Sequence, residues 1–128
     1  MSLKQRKKME KNKFLNILVV DDEEEICKMF TKFLSREGHR VKASLTGNNA
    51  IDLINKENFN VVFLDIVMPG MPPIAVLEKI KKTSPNTKVV LITGKLVNKN
   101  FLYKMKRKGV SELLQKPFKI EDLREIVC

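Results

Sequence analysis

Residues 59–73 read FNVVFLDIVMPGMPP. The stretch contains an apolar, β-rich run that ends in a lone carboxylate, Asp65, and three prolines and one glycine follow within the next eight positions. A short apolar run of this kind is typical of a strand buried on both faces, and proline and glycine end such a run. The stretch therefore predicts a central strand over 61–65 that delivers an aspartate to the point where the chain leaves the core.

The remainder of the chain alternates short apolar strands with amphipathic helices. We predict the other strands at 16–20, 39–44, 88–93 and 110–115, a first helix with an apolar stripe from Ile26 to Leu34 that ends at Gly38, and later helices over 47–56, 73–83, about 97–107 and 120–127. Strand and helix thus alternate five times. This order predicts an α/β fold with a five-stranded parallel sheet between two helical layers, a three-layer αβα sandwich with right-handed crossovers.

The composition fits one compact domain. The chain has 128 residues, of which 43% are hydrophobic and 31% charged, and no apolar stretch approaches the roughly 20 residues of a membrane span. The N-terminus lacks the apolar segment of a secretory signal. We therefore expect a cytoplasmic protein in which Cys27 and Cys128, whose spacing fits no zinc or redox motif, are reduced thiols.

Half of the net charge lies at the N-terminus. The net charge is +10, and residues 1–13 hold six Lys or Arg and one Glu, which gives +5. These residues show no hydrophobic period, so we predict a flexible basic arm. A solvated, solubilising tail is the favoured interpretation, and binding to nucleic acid or to an anionic membrane remains an alternative.

Polar side chains follow four of the five predicted strands. The first strand ends in Asp21 and Asp22, the third in Asp65, the fourth in Thr93 and the fifth in Lys116. Sites in open parallel sheets form outside the carboxyl ends of the strands. Each residue alone could be a helix cap, a turn or plain surface, but their joint occurrence at these positions favours a functional site.

The residue types limit the chemistry of that site. Three neighbouring carboxylates repel one another unless a cation joins them, and oxygen ligands favour a hard divalent ion such as Mg²⁺. We find no catalytic thiol or histidine, because Cys27 lies on a helix flank and His39 begins an edge strand. The set suits phosphoryl transfer to an aspartate, with metal, lysine and hydroxyl stabilising the phosphoryl oxygens.

Four motifs occur in order along the chain: Leu18-Val-Val-Asp-Asp-Glu23, Val62-Phe-Leu-Asp-Ile-Val-Met-Pro-Gly70, Leu91-Ile-Thr-Gly94 and Lys116-Pro-Phe118. Together they resemble the receiver domains of two-component response regulators, and the resemblance covers residues 16–127. We accordingly expect a receiver (response regulatory) domain over 14–128 with the flavodoxin-like strand order 2-1-3-4-5.

The resemblance implies a role for each metal-binding position. Asp22 resembles the direct carboxylate ligand of Mg²⁺, and Asp21 acts through water. Asp65 and the backbone carbonyl of Val67 complete the ligands that the protein supplies.

The resemblance also implies a phosphorelay switch. Asp65 resembles the phosphoacceptor, which receives phosphate from the phosphohistidine of a histidine kinase or a phosphotransfer protein. Thr93 matches the hydroxyl that moves onto the phosphoryl group, and Lys116 matches the lysine that pairs with the acceptor and then with phosphate. The peptide bond between Lys116 and Pro117 is expected to be cis. Such a domain switches binding to an output protein or domain, and it catalyses only its own phosphorylation and dephosphorylation.

Three features depart from the family pattern. Leu113 stands where the family usually has the aromatic switch residue, and Pro72 and Pro73 replace the usual Asp and Gly of the loop after the acceptor. Val67 and Lys95 occupy the two positions that help to set the rate of phosphate loss. An apolar side chain at 67 cannot position a water, so we predict slow self-dephosphorylation.

Three alternatives stay open. Leu113 allows a degenerate receiver that acts only as a protein-interaction module. A phosphohydrolase of the aspartyl-phosphate type is disfavoured, because no second aspartate follows Asp65 in the nucleophile motif and no cap domain is present. We expect no direct nucleic-acid binding by the receiver itself. A transcriptional role would need the arm, a partner or a further region, since no output domain follows Val127.

Overall fold

The computed structural model describes residues 2–3, 14–94 and 96–127. The strands are β1 (Asn16–Val20), β2 (Arg40–Ser44), β3 (Val61–Asp65), β4 (Lys88–Thr93) and β5 (Val110–Gln115), and the helices are α1 (Glu24–Arg36), α2 (Gly47–Lys56), α3 (Pro73–Thr83), α4 (Lys99–Arg107) and α5 (Ile120–Val127). Most of the predicted arm, Lys95 and Cys128 lie outside the described residues. Within the described ranges, no helix is long and apolar enough to cross a membrane.

The strands form one parallel sheet in the order β2-β1-β3-β4-β5. The predicted order and the predicted αβα layering are therefore confirmed. All five residues of β3 are buried, because this strand lies at the centre of the sheet with helices above and below it. The apolar run at 61–65 is thus the buried central strand of the sheet.

Alternation along the strands divides the core into two clusters. Val62 and Leu64 pack with the buried residues of α2, α3 and α4. Val61 and Phe63 pack on the opposite face with those of α1 and α5, where the rings of Phe30 and Phe63 lie 4.8 Å apart. Period-two alternation places successive side chains on opposite faces, so β3 supplies both cores at once.

Gly38 ends α1 as predicted, whereas the start of β2 differs slightly from the prediction. Gly38 adopts a positive φ of 97°, and the N–H of His39 donates to the carbonyl of Leu34 at 3.0 Å. His39 is buried, and its Nδ1 accepts from the N–H of Leu15 at 3.1 Å. His39 therefore closes the helix, and β2 begins at Arg40, one residue later than predicted.

The start of α4 also falls later than the sequence suggested. The side chain of Asn98 accepts from the N–H of Phe101 at 2.8 Å, which is the geometry of a helix N-cap. The first helical residue is therefore Lys99 instead of a residue near 97.

Candidate functional site

The carboxyl ends of four strands meet at one edge of the sheet. Asp65 is the partner of Ile92 in the ladder between β3 and β4. The N–H of Lys116, the first residue after β5, donates to the carbonyl of Thr93 at the end of β4, at 2.7 Å. The N–H of Asp21, the first residue after β1, donates to the carbonyl of Ser44 at the end of β2, at 3.0 Å. These backbone hydrogen bonds continue the ladders by one residue, so they fix the backbone from which the side chains of Asp21 and Lys116 project.

Three carboxylates converge at this edge. Asp21, Asp22 and Asp65 each place one oxygen within 4.8 Å of the others. Asp21 is fully buried, Asp65 is 3% exposed, and Asp22 is exposed to solvent. The buried Oδ2 atom of Asp21 has no hydrogen-bond partner. An oxygen-only cluster of two buried carboxylates and one exposed carboxylate fits a hard divalent cation.

Lys116 is the cation that contacts this cluster. Its Nζ atom lies 3.0 Å from Oδ2 of Asp21, 3.0 Å from Oε1 of Glu23 and 3.4 Å from Oδ2 of Asp65. The contact with Asp21 is an ion pair without hydrogen-bond geometry. The lysine side chain is only 17% exposed, so one ammonium group is shared among three carboxylates in a site partly shielded from water.

Both buried aspartates are oriented by the same local device. Oδ1 of Asp21 accepts from the N–H of Glu23 at 2.9 Å, and Oδ1 of Asp65 accepts from the N–H of Val67 at 2.9 Å. An aspartate commonly bonds the backbone two residues on in this way. The device fixes one oxygen of each carboxylate and turns the other, Oδ2, towards Lys116.

The environment shifts the pKa values of Asp65 and Lys116. Burial raises the pKa of Asp65, and the charge of Asp21 raises it further, while the N–H of Val67 and the charge of Lys116 oppose the shift. Burial lowers the pKa of Lys116, but the contacts with Glu23 and Asp21 outweigh it and raise the pKa overall. The lysine is therefore charged, and its charge and the N–H of Val67 offset only part of the upward shift in the pKa of Asp65.

The structure brings together most of the residues that the sequence singled out. Asp21, Asp22, Asp65 and Lys116 form the cluster described above, and Thr93 is buried at the end of the neighbouring strand β4. The peptide bond between Lys116 and the proline after it is cis, as the resemblance implied. The predicted roles of these side chains in metal binding and phosphoryl transfer stay predictions at this point.

Val67 and Leu113 are two of the positions that depart from the family pattern, and the structure shows the contacts that each makes. Val67 contributes its N–H to Asp65 and exposes 50% of its surface, and the role of its carbonyl stays a prediction. Leu113 is half-buried and packs against the cluster that includes α2, α3 and α4. The side chain of Leu113 thus contributes to the hydrophobic packing on that face of β5.

The contact of Glu23 was missed by the sequence analysis. Glu23 was named only as the last residue of the first motif, whereas in the structure its carboxylate reaches Lys116. The only sequence signal was its place directly after Asp21 and Asp22. Cys27, in contrast, agrees with the expectation that it is not a catalytic thiol. Its Sγ donates to the carbonyl of Asp21 at 3.3 Å, and burial raises its pKa to about 11, so it is not an activated nucleophile.

Comparisons with known proteins agree with this geometry. The model of the response regulator receiver domain matches residues 17–128, and the chain belongs to that family. It is 31% identical over 113 residues to sporulation initiation phosphotransferase F of Bacillus subtilis, covering 87% of this chain and 89% of that protein. Members of the family are signalling modules of two-component systems and not classical enzymes.

Solved structures show the same fold. A CheY-like receiver domain protein from Methanospirillum hungatei superposes with a TM-score of 0.82 at 30% identity, covering 90% of this chain and 91% of that chain. The beryllofluoride-activated DrrB receiver domain gives a TM-score of 0.79 at 33% identity, covering 90% and 95%.

Several relatives are much longer than this chain. The transcriptional regulatory protein YkoG of Bacillus subtilis is 31% identical over 108 residues, and the match covers 84% of this chain but 47% of that protein. In such relatives, the matched part is only one region of a larger regulator.

Proposed function

We propose that the chain is a phosphorylation-controlled switch in which Asp65 accepts a phosphoryl group from the phosphohistidine of a histidine kinase or a phosphotransfer protein. The observation that carries the proposal is the carboxylate of Asp65, which is buried, oriented by the N–H of Val67 and placed against Lys116 and two further carboxylates. Membership in the receiver-domain family supports the same conclusion.

The acidic cluster fits Mg²⁺ as the proposed cofactor. Asp22 is exposed and available as a direct ligand, Asp21 would act through water, and Asp65 and the carbonyl of Val67 would complete the protein ligands. When bound, the ion would neutralise charge on the phosphoryl oxygens. The convergence of the three carboxylate oxygens within 4.8 Å of one another supports this assignment.

The side chains of the protein have distinct proposed tasks. A carboxylate oxygen of Asp65 forms the bond to phosphorus while the bond between phosphorus and the donor nitrogen breaks. Lys116, already 3.4 Å from the acceptor, would pair with the transferred group. Thr93, at the end of the adjacent strand, would donate its hydroxyl hydrogen to a phosphoryl oxygen.

We propose that phosphorylation changes the binding of a downstream output protein or domain. The proposed domain spans 14–128, with the basic arm over 1–13 as a separate segment, and the receiver itself would not contact nucleic acid. The reaction is proposed to occur in the cytoplasm.

The direct test is phosphorylation by acetyl phosphate in the presence of Mg²⁺, followed by intact mass. The wild type should gain one phosphoryl group and Asp65→Asn should gain none. Asp52→Asn is the matched control, because Asp52 is exposed on α2 and far from this chemistry in the chain. Absence of an Asp65-dependent gain would favour an interaction module, and continuous release of phosphate would favour a hydrolase.

A further inference from the structure

Glu23 has no role in the phosphoryl transfer proposed above, yet it contacts the lysine of the site. The Nζ atom of Lys116 lies 3.0 Å from Glu23 but 3.4 Å from Asp65. In the unphosphorylated structure, the ammonium group of Lys116 is therefore closer to the carboxylate of Glu23 than to that of Asp65.

The backbone of Glu23 is fixed on both sides. Its N–H donates to Oδ1 of Asp21 at 2.9 Å, and its carbonyl accepts from the N–H groups of Ile26 and Cys27 at 3.1 and 3.2 Å. Its side chain forms no cap for α1. The carboxylate is thus free to reach across the mouth of the site to Lys116 without contributing to the start of the helix.

We propose that Glu23 is a positioning residue that shares Lys116 with Asp65 and competes for its ammonium group with a phosphoryl group on Asp65. The inference rests on the proposed function, because it concerns the lysine of that reaction. An ammonium group has three N–H donors, and three carboxylates surround this one. A phosphoryl group on Asp65 takes over the contact of that carboxylate, and its greater negative charge would draw the ammonium group away from one of the other two.

Exposure decides which carboxylate is displaced. The side chain of Glu23 is 61% exposed, whereas that of Asp21 is fully buried. Water can solvate a carboxylate that leaves at the surface, but a buried carboxylate that loses its partner remains unpaired at high cost. Glu23 is therefore the partner that leaves, and its attraction for Lys116 opposes binding of the phosphoryl group.

The test compares Glu23→Ala with Glu24→Ala. Glu24 is the next residue, carries the same charge and is exposed, so this control removes an equal charge without removing the contact. The rate of phosphorylation is measured by intact mass against the concentration of acetyl phosphate at saturating Mg²⁺ and at high salt, which screens distant charges.

Glu23→Ala should lower the half-saturating concentration of acetyl phosphate about two- to fivefold, the range expected for loss of one exposed ion pair, and leave the limiting rate unchanged. Glu24→Ala should match the wild type. Beryllofluoride binding in the presence of Mg²⁺ should tighten by a similar factor in Glu23→Ala alone. A thermal melt of each variant verifies that both are folded.

The outcomes separate this inference from the proposed function. If the wild type takes up no phosphate at Asp65, the proposed function fails and the inference fails with it. If the wild type is phosphorylated and Glu23→Ala equals either the wild type or Glu24→Ala, or needs more acetyl phosphate, the inference alone is overturned.

Discussion

The three aspartates at the edge of the sheet differ in their exposure to solvent. Asp22 is the exposed member of the acidic cluster, and Asp21 and Asp65 are its buried members. A ligand that binds only the folded state raises the free energy of unfolding, by about 2.7 kcal/mol at a concentration of 100 times its dissociation constant. We therefore expect Mg²⁺ to raise the melting temperature of the protein through these carboxylates.

Asp22→Ala should lose most of this stabilisation because it removes the ligand that is proposed to bind directly. The measurement is the melting temperature with and without Mg²⁺, with Ca²⁺ as a second ion. Asp52→Ala, a change at an exposed helix position, should retain the full increase. An equal increase in Asp22→Ala and the wild type would place the metal elsewhere.

A second prediction at this scale concerns the lifetime of the phosphorylated protein. The side chain of Val67 is exposed beside Asp65 and cannot hydrogen-bond a water, so hydrolysis of the aspartyl phosphate should be slow. Val67→Asn should accelerate it, because an amide side chain can orient water near the phosphorus. The decay of the phosphorylated mass after removal of the donor measures both rates, and a wild-type lifetime of seconds would contradict the prediction.

The elements themselves could largely be predicted from the sequence, because strand and helix periodicity depends on local residue order. The errors occur at β2 and α4, where particular hydrogen bonds decide the boundary. His39 is used to close α1, and Asn98 caps α4. Neither hydrogen bond has a periodicity that reveals it in advance.

The end of α1 provides the prediction at the element scale. Gly38 has a φ of 97°, and a Cβ atom there would lie 2.6 Å from the ring of Phe14. Because left-handed backbone costs an ordinary L-residue about 1–2 kcal/mol, Gly38→Ala should lower the free energy of unfolding by about that amount. Urea denaturation measures the loss.

The Phe14 ring is 80% exposed and can move aside, so the backbone should dominate the cost. Gly38→Asn should therefore lose less than Gly38→Ala, since asparagine tolerates the left-handed region better. Adding Phe14→Ala to Gly38→Ala should restore little. Full recovery in the double variant would assign the cost to the ring instead.

At the scale of the whole molecule, the site depends on contacts between distant parts of the chain. Glu23 and Lys116 are separated by 93 positions, and Asp65 and Lys116 by 51. The motifs allowed the sequence analysis to place Asp65 and Lys116 at one edge. No motif indicated that Lys116 lies nearer to Glu23, because that distance depends on how the packed sheet positions the two loops.

The same long-range packing gives the acidic site a cost in stability. Burial and the charge of Asp21 raise the pKa of Asp65 in the folded protein above the usual 3.8. The folded state therefore binds a proton more readily than the unfolded state. The linked free energy of unfolding decreases as the pH rises from the unfolded pKa through the raised folded pKa, and the penalty is fully present above that window.

Asp65→Asn, which replaces the carboxylate with a neutral side chain of similar shape, should therefore raise the free energy of unfolding at pH 7 without Mg²⁺. The gain over the wild type should shrink as the pH falls to about 3, below the ordinary pKa of 3.8, where the wild-type carboxyl group is mostly protonated in both states. Added Mg²⁺ should narrow the gap at pH 7 because it compensates the charge of Asp65 in the wild type. Urea denaturation at both pH values measures the difference in the free energy of unfolding between Asp65→Asn and the wild type. A variant less stable than the wild type at pH 7 would show that the carboxylate of Asp65 stabilises the fold through its contact with Lys116 instead of destabilising it.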